Sequence, residues 1–433
     1  MMKSTGPRRR RFFLLSLGCL AFLLTGCWDR HELEQLAFVV TMVVDRSVGN
    51  QIDLSMRIAV PSGLQASGDR GTSKQGIAQT SQMITVTARS LPEAIALAEA
   101  TVERALDFRH LRVVAFGEPL AREGLLPYLD TLERYRQFRR TIYIWVAKEG
   151  SGRRLFLENA PVLEKNSSAF IDDLARTATR IGYSRMPTLH EFLNETDHPH
   201  CDSVIALIGI APLVESERKN QGQPVPTEKY HQQLPPHPEP GGTTLAPLAR
   251  SGGNPVEFLG VGLFQKGKMI DQWSGQETRL YNLLKDTYRI GLWNFDSPTA
   301  PGPISLQIRR VRPIKIGLTG SEKFPHMDIA LSLEGEFVSL QSLEQYVSTE
   351  RISAVESFVT AVLQEELLAL IHKAQKAKAD PFDLVRYLQR RMLTMQEFDA
   401  LPWRERFAQA TVTVSVDFKI RRTGLRIQPR LQK

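Results

Sequence analysis

Residues 36–60 read LAFVVTMVVDRSVGNQIDLSMRIAV, and this stretch sets the fold class. Leu36 to Val44 is a continuous apolar run ending at Asp45, the pattern of a strand buried on both faces. Ile52, Leu54, Met56, Ile58 and Val60 then alternate with other residues at the period of a half-buried strand. Arg46 to Asn50, with Gly49 available for the turn, joins the two as a hairpin. The body of the chain therefore opens with antiparallel β structure.

Working outward, residues 61–81 are rich in Gly, Ser, Gln and Thr and read as a loop, and Met83 to Thr87 is a third strand. Pro92 sits at the first turn of a helix with the stripe Ala94, Leu97, Ala98, Thr101, Val102 and Ala105. Leu111 to Phe116 is a strand, Leu120 to Phe138 a helix and Thr141 to Ala147 a strand. The order β-β-β-α-β-α-β is not the regular alternation of a doubly wound sheet. It predicts a multidomain α+β fold with mixed or antiparallel sheets and packed helices, and no Rossmann-like lobe. Residues 161–200 read as short helices with loops, and Val204 to Ile210 as another strand.

The composition changes at Pro212. Residues 212–255 hold nine prolines, two Gly-Gly pairs and few large aliphatics, so they read as a loop or linker. An N-terminal α+β region over 28–211 and a C-terminal α+β domain over 256–425 are expected on either side. The second unit opens with FLGVGLFQKGKMIDQW at 258–273, a strand–turn–strand. Ile304 to Ile316 and Asp328 to Val338 are further strands. Glu344 to Ala379 is a long helix with the stripe Ile352, Val355, Val359, Val362, Leu363, Leu367, Leu370 and Ile371. Asp380-Pro381 breaks it, Phe382 to Arg391 is a shorter helix, and Val412 to Ile420 is a period-2 strand.

The N-terminus has the organisation of an export signal over residues 1–26. Arg8 to Arg11 form a basic n-region, and FFLLSLGCLAFLL at 12–24 is 13 uncharged residues. That length suits an h-region and falls short of the roughly 20 residues of a spanning helix. Arg10 to Leu14 also resembles a twin-arginine signal, although a plain basic n-region accounts for it. Leu24-Thr25-Gly26-Cys27 follows directly, so Cys27 is the expected lipidation site: thioether-linked diacylglycerol, then cleavage that makes it the new N-terminus. Two acyl chains at about 0.8 kcal/mol per buried CH₂ hold a protein stably on a membrane.

Lys3 and Arg8 to Arg11 account for five of the 55 basic residues, and residues 1–26 carry no acid. That leaves 50 basic against 47 acidic residues beyond residue 26, a net +3, too little to point to nucleic acid. Of three cysteines, Cys19 lies in the signal; if residues 1–26 are removed and Cys27 is acylated, Cys201 has no disulfide partner.

Catalytic motifs are missing. There is no phosphate loop, dinucleotide fingerprint or nucleophile elbow. His31-Glu32 begins like a zincin helix, but Gln35 stands where the second histidine belongs. His198, His200, Cys201 and Asp202 around Pro199 match no metal spacing and read as a polar loop with an isolated thiol. Asp172-Asp173 and Glu365-Glu366 are sequence neighbours, about 100° apart on a helix, and do not converge. The 352–371 stripe reads as one side of a domain core, or a partner-binding helix. Trp28 fits either a headgroup-level anchor or a plain spacer. No enzyme activity, cofactor or metal site is expected.

The chain resembles the Ger(x)C lipoproteins, the C subunits of bacterial spore nutrient germinant receptors. The carrying residues start with Gly26-Cys27-Trp28-Asp29-Arg30, then Glu32-Leu33, Leu36-Ala37 and the strand ending in Asp45. The family ends that strand in Gly-x-Asp, and this chain has Val43-Val44-Asp45. Further matches are Gly117-Glu118, Ala121 to Leu125, Leu129-Asp130 and Arg134. In the second half they are Gly260 to Phe264 with Lys266 and Lys268, then Gln375, Asp380, Trp403 and Gly424, with Gly262 in place of the usual alanine. The resemblance implies an α+β, non-enzymatic subunit required for the germination response. It would be a palmitate-bearing lipoprotein tethered to the outer face of the spore inner membrane, with the germinant receptor A and B membrane subunits as partners. A transporter's solute-binding lipoprotein is the alternative, which needs two doubly wound lobes. A cell-envelope hydrolase is a third, which lacks its nucleophile or metal motif.

Overall fold

The computed structural model describes residues 35–59, 81–148, 152–159, 167–210, 254, 256–298, 302–320, 325–340 and 349–422. Cys27, the loop read at 61–81 except Ser81, and nearly all of the proline-rich stretch lie outside these residues.

The first sheet is built around strands β1 (Leu36–Arg46), β2 (Ile52–Ala59), β3 (Ser81–Ala88), β4 (Ala105–Asp107), β5 (Val113–Gly117), β6 (Tyr143–Ala147) and β7 (Ser203–Ile210). Two more, β8 (Val256–Gln265) and β9 (Lys268–Trp273), complete the order β3-β2-β1-β5-β6-β7-β8-β9, with β4 also paired to β1. The middle strands β1, β5, β6 and β7 run parallel. Antiparallel hairpins flank them on both sides. Parallel strands are covered on both faces, which is why VVAFG in β5 is buried at every residue. Two apolar clusters result, one on each face: Val44, Phe116 and Ile144 belong to one, Val43, Ala115 and Trp145 to the other.

The α+β reading with a mixed sheet is therefore what the chain adopts. One placement differs. The strand–turn–strand at 258–273, expected to open the second unit, pairs through β8 with β7 and forms the far edge of the first sheet. Residues 212–255 thus connect two neighbouring strands. Gly260 belongs to this join: its φ is +110°, and a Cβ there would lie 2.0 Å from the Trp273 carbonyl oxygen.

Three helical expectations are also adjusted. The helix after Ser90 ends at Glu99, Leu97 within it is exposed, and Ala105 lies in β4 beside Leu36. The stretch read as one helix over 120–138 is two, Glu118–Glu123 and Leu126–Arg134, divided at Gly124, whose φ of +132° a helix does not tolerate. Residues 161–200 contain Ser167–Ile181, a longer helix than expected, and Leu189–Asp197.

The second sheet contains β10 (Ile290–Asp296), β11 (Pro303–Arg310), β12 (Lys315–Gly320), β13 (Pro325–Leu340) and β14 (Thr411–Arg422). The 16-residue β13 is its spine, pairing with β11 and β12 along one side and parallel to β14 along the other. Residues 304–316, read as one strand, are split between β11 and β12, because Arg312-Pro313 cannot continue a ladder. β14 alternates exposed and buried residues, as its period predicts. The helix Thr349–Lys376 packs on this sheet, with Val355, Val359, Leu363, Leu367 and Ile371 fully buried in its core. That is the domain-core reading of the stripe. The helix closes with Ala379 N–H donating to Ala374 C=O and Lys378 N–H to Gln375 C=O, around a left-handed Lys378 (φ 52°).

Candidate functional site

A buried, densely bonded polar region lies where the strand-leading segment His198–Asp202 meets the end of the long helix. Asp202 has a side chain with no solvent exposure. Its two oxygens accept from Arg404 Nη1 at 2.8 and 2.6 Å. The backbones lock reciprocally: Asp202 N–H donates to Asp380 C=O at 3.1 Å, and Asp380 N–H donates to Asp202 Oδ2 at 2.9 Å.

Asp380 is itself buried, and its carboxylate gathers three donors. Phe382 N–H reaches Oδ1 at 3.2 Å, and Val385 N–H and Trp403 Nε1 reach Oδ2 at 3.0 and 2.9 Å. Asp380 thus turns the chain from the long helix into Val385–Gln389 and ties in the indole of the last helix, Trp403–Gln409. Burial pushes its carboxyl up to about 6, against the pull of these donors. Burial also raises Asp202, opposed by the Arg404 guanidinium. Gln375, the next-to-last residue of the long helix, donates to the carbonyls of Phe407 and Ala410 at 2.9 and 2.8 Å.

The residues expected as a polar loop with a lone thiol are built into this joint. His200 is buried, and its Nε2 donates to the Phe398 carbonyl at 2.6 Å. His198 Nδ1 accepts the backbone N–H groups of His200 and Cys201. Cys201 is buried, and desolvation pushes its thiol well above the ordinary range, so it is a poor nucleophile in the folded protein. The segment is a packed connector, and composition alone did not show it, because the residues that bury it lie about two hundred positions away.

Other crossings support the same joint. Asn282 Nδ2 donates to Gly182 C=O at 3.0 Å, and Arg279 Nη1 to Tyr183 OH at 3.0 Å. Lys285 meets Glu195 at 3.3 Å and the Pro381 carbonyl at 3.2 Å. The adjacent acids behave as their spacing predicts: Asp172 faces Arg112, and Asp173 faces Arg176. No helix among the described residues is long and apolar enough to cross a membrane.

Several residues that carried the family resemblance have structural tasks here. Trp403 donates to the Asp380 carboxylate, and Gln375 ties the long helix to the end of the Trp403–Gln409 helix. Asp45 accepts the N–H groups of Gly152 and Arg153 at 2.8 and 3.0 Å, and Gly117 leaves room for it, since a Cβ there would sit 2.6 Å from Asp45 Oδ1. Gly267 (φ +74°) accepts from Leu125 N–H at 2.8 Å, tying the β8–β9 turn to the segment read at 121–125.

Residues 29–210 match the family described as the spore germination protein N-terminal domain. Residues 259–424 match the family described as spore germination B3/GerAC like, C-terminal. Among relatives, the putative spore germination protein YfkR of Bacillus subtilis is 24% identical over 366 residues, covering 84% of this chain and 83% of that protein. Spore germination protein KC of B. subtilis is 23% identical over 421 residues, covering 94% of each. The crystal structure of the GerBC protein aligns over 88% of this chain and 96% of its own, with a TM-score of 0.47 and 14% identity. Two matched family regions, together spanning most of the sequence, place the chain in the Ger(x)C family of spore germination proteins.

Proposed function

We propose that the protein is a non-enzymatic, lipid-anchored subunit of a spore nutrient germinant receptor. The observation that carries this reading is the pair of spore-germination family matches over 29–210 and 259–424. The Leu24-Thr25-Gly26-Cys27 sequence after a short apolar run supports a diacylglyceryl anchor at Cys27, on the outer face of the spore inner membrane. Confinement to that surface raises the effective concentration of membrane-bound partners without new contacts. The partners in this reading are the A and B membrane subunits of the receptor, and the protein contributes by binding and assembly.

Deletion in a strain that retains only this receptor tests the role. Spores should form in normal yield, ignore the receptor's nutrients and still germinate with calcium dipicolinate, a trigger acting downstream. A full nutrient response after deletion would overturn the assignment. For the anchor, Cys27→Ala should abolish palmitate labelling and release the protein from membranes. Persistent labelling of that variant would exclude Cys27.

A further inference from the structure

The two ends of the first sheet differ in charge. Strands β1, β4, β5, β6 and β7 run parallel, so the segments that lead into them gather at one end. Arg104 precedes Ala105, the ladder partner of Leu36. The connection from β4 to β5 carries Arg109 and His110, and the His110 ring meets Phe38 edge-on at 5.0 Å. Phe108 N–H donates to Gln137 Oε1 at 2.9 Å and the Phe108 ring packs on Phe138, which brings Arg136 and Arg139 to the same end. The β8–β9 turn joins them, because β8 runs antiparallel to β7 and Phe264 pairs with Ser203.

Positive charge is in surplus here. Residues 103–112 and 133–140 hold seven arginines against Glu103, Asp107 and Glu133, a net +4. Arg109 and Arg140 pair with Asp107 and Glu133. Arg104, Arg136 and Arg139, with Lys266 and Lys268 on the β8–β9 turn, are exposed and have no ion pair among the described residues. Leu126 and Ile270 are exposed beside that turn. The opposite end of the sheet is balanced: Arg46, Arg89, Arg122 and Arg154 each face a glutamate, Glu123, Glu93, Glu118 and Glu158.

The chain enters β1 at the basic end. From Cys27 to Leu36 is nine residues, which span at most about 32 Å even when fully extended. A tether at Cys27 therefore keeps this end near the bilayer. The field of an anionic leaflet fades within a Debye length, about 8 Å at physiological salt, so only the side of the protein held closest feels it. Each basic residue brought there strengthens adhesion about fivefold. Long, exposed, unpaired arginines and lysines spread over a strand end suit a diffuse layer of headgroups, and the two apolar side chains can enter its boundary.

We propose that the strand-start end of the first sheet, through Arg104, Arg136, Arg139, Lys266 and Lys268, lies on an anionic lipid surface and sets the orientation of the protein on the membrane. This proposal rests on the lipid anchor at Cys27.

The test uses full-length acylated protein in vesicles of equal phosphatidylglycerol and phosphatidylcholine, with a nitroxide on the lipid headgroups as a short-range quencher. A fluorophore is placed on Thr141→Cys, exposed at the basic end, or on Val48→Cys, exposed in the β1–β2 turn at the other end, while Cys201 is buried. The two positions lie about 20 Å apart along the strands. Quenching at 141 should exceed that at 48 by at least about threefold, and the contrast should vanish in pure phosphatidylcholine, at about 1 M salt, and in the combined Arg104→Gln, Arg136→Gln, Arg139→Gln variant. Equal quenching at both positions overturns the proposal. So does a contrast that survives neutral lipid or the triple substitution, which would mean that the tether alone orients the protein. A contrast that arises only with membrane receptor subunits present would make this end a protein-docking face and overturn the lipid assignment. Palmitate labelling of the same sample separates the two readings: without label the anchor fails and the proposal with it, whereas labelled protein with equal quenching overturns the orientation alone.

Discussion

Arg404 Nη1 contacts both carboxylate oxygens of Asp202, a residue 202 positions earlier, at 2.8 and 2.6 Å. The arginine side chain is 19% exposed and the aspartate not at all, so the pair is a largely desolvated clamp between the entry to β7 and the last helix. It stands beside the reciprocal backbone bonds of Asp202 and Asp380.

Removing the cation should therefore be costly. Arg404→Met leaves a buried carboxylate without its counter-charge, and unfolding free energy should fall by about 3 kcal/mol. Adding Asp202→Asn to that variant should restore part of the loss, because the carboxylate left without its counter-charge is then removed. Chemical denaturation of the single and double variants measures this. Equal stability of wild type and Arg404→Met would show that the pair does not act as a clamp.

Asp380 predicts a pH dependence. Its folded pKa of about 6 lies above the unfolded value near 3.9. The folded state therefore holds the proton more tightly. The stability that protonation contributes is complete below about pH 4 and is lost as pH rises through 6. A shift of two units corresponds to roughly 3 kcal/mol. Stability relative to Asp380→Asn should fall between pH 4 and 6.5 and level off above that. Parallel pH profiles for the two proteins would contradict the assignment.

Gly260 tests the join between β7 and the hairpin after it. With a φ of +110° and a Cβ clash against the Trp273 carbonyl, Gly260→Ala should destabilise by at least about 2 kcal/mol. Gly49 has a φ of +68° but open space around it, so Gly49→Ala should cost only about 1 kcal/mol. Thermal melts of both variants check the ranking, and a reversal would mean the β8–β9 approach is looser than described.

Brief trypsin treatment should cut first near Arg218, Lys219, Lys229 or Arg250, in the proline-rich stretch. The two products should stay together on size exclusion, because β7 and β8 on either side are hydrogen-bonded neighbours. Initial cleavage inside 93–147, or immediate separation of the products, would contradict this.

Local pattern was enough to identify most elements of this chain. The apolar run of β1 and the alternation of β14 report burial directly, because side-chain direction repeats every two residues in a strand. The 352–371 stripe did the same at helical spacing. The Gly-Cys-Trp-Asp segment, with the matches down the chain, carried the resemblance to the family that the two matched regions show. Helix ends were less legible: Ala105 kept the helical spacing yet joined β4, because a three-residue pairing with β1 outweighed local propensity.

Partner choice belonged to the tertiary structure. The 258–273 hairpin is plain in the sequence, but its allegiance to β7 is not, since the two are separated by the long proline-rich stretch and any sheet edge offers the same hydrogen bonds. The same holds for His198–Asp202, whose composition suggests a solvated loop until Phe398, Asp380 and Arg404 close over it. Periodicity records which face of an element is buried. Which distant group meets a buried charge is settled only in the assembled core, where desolvation penalises a charge left without a partner.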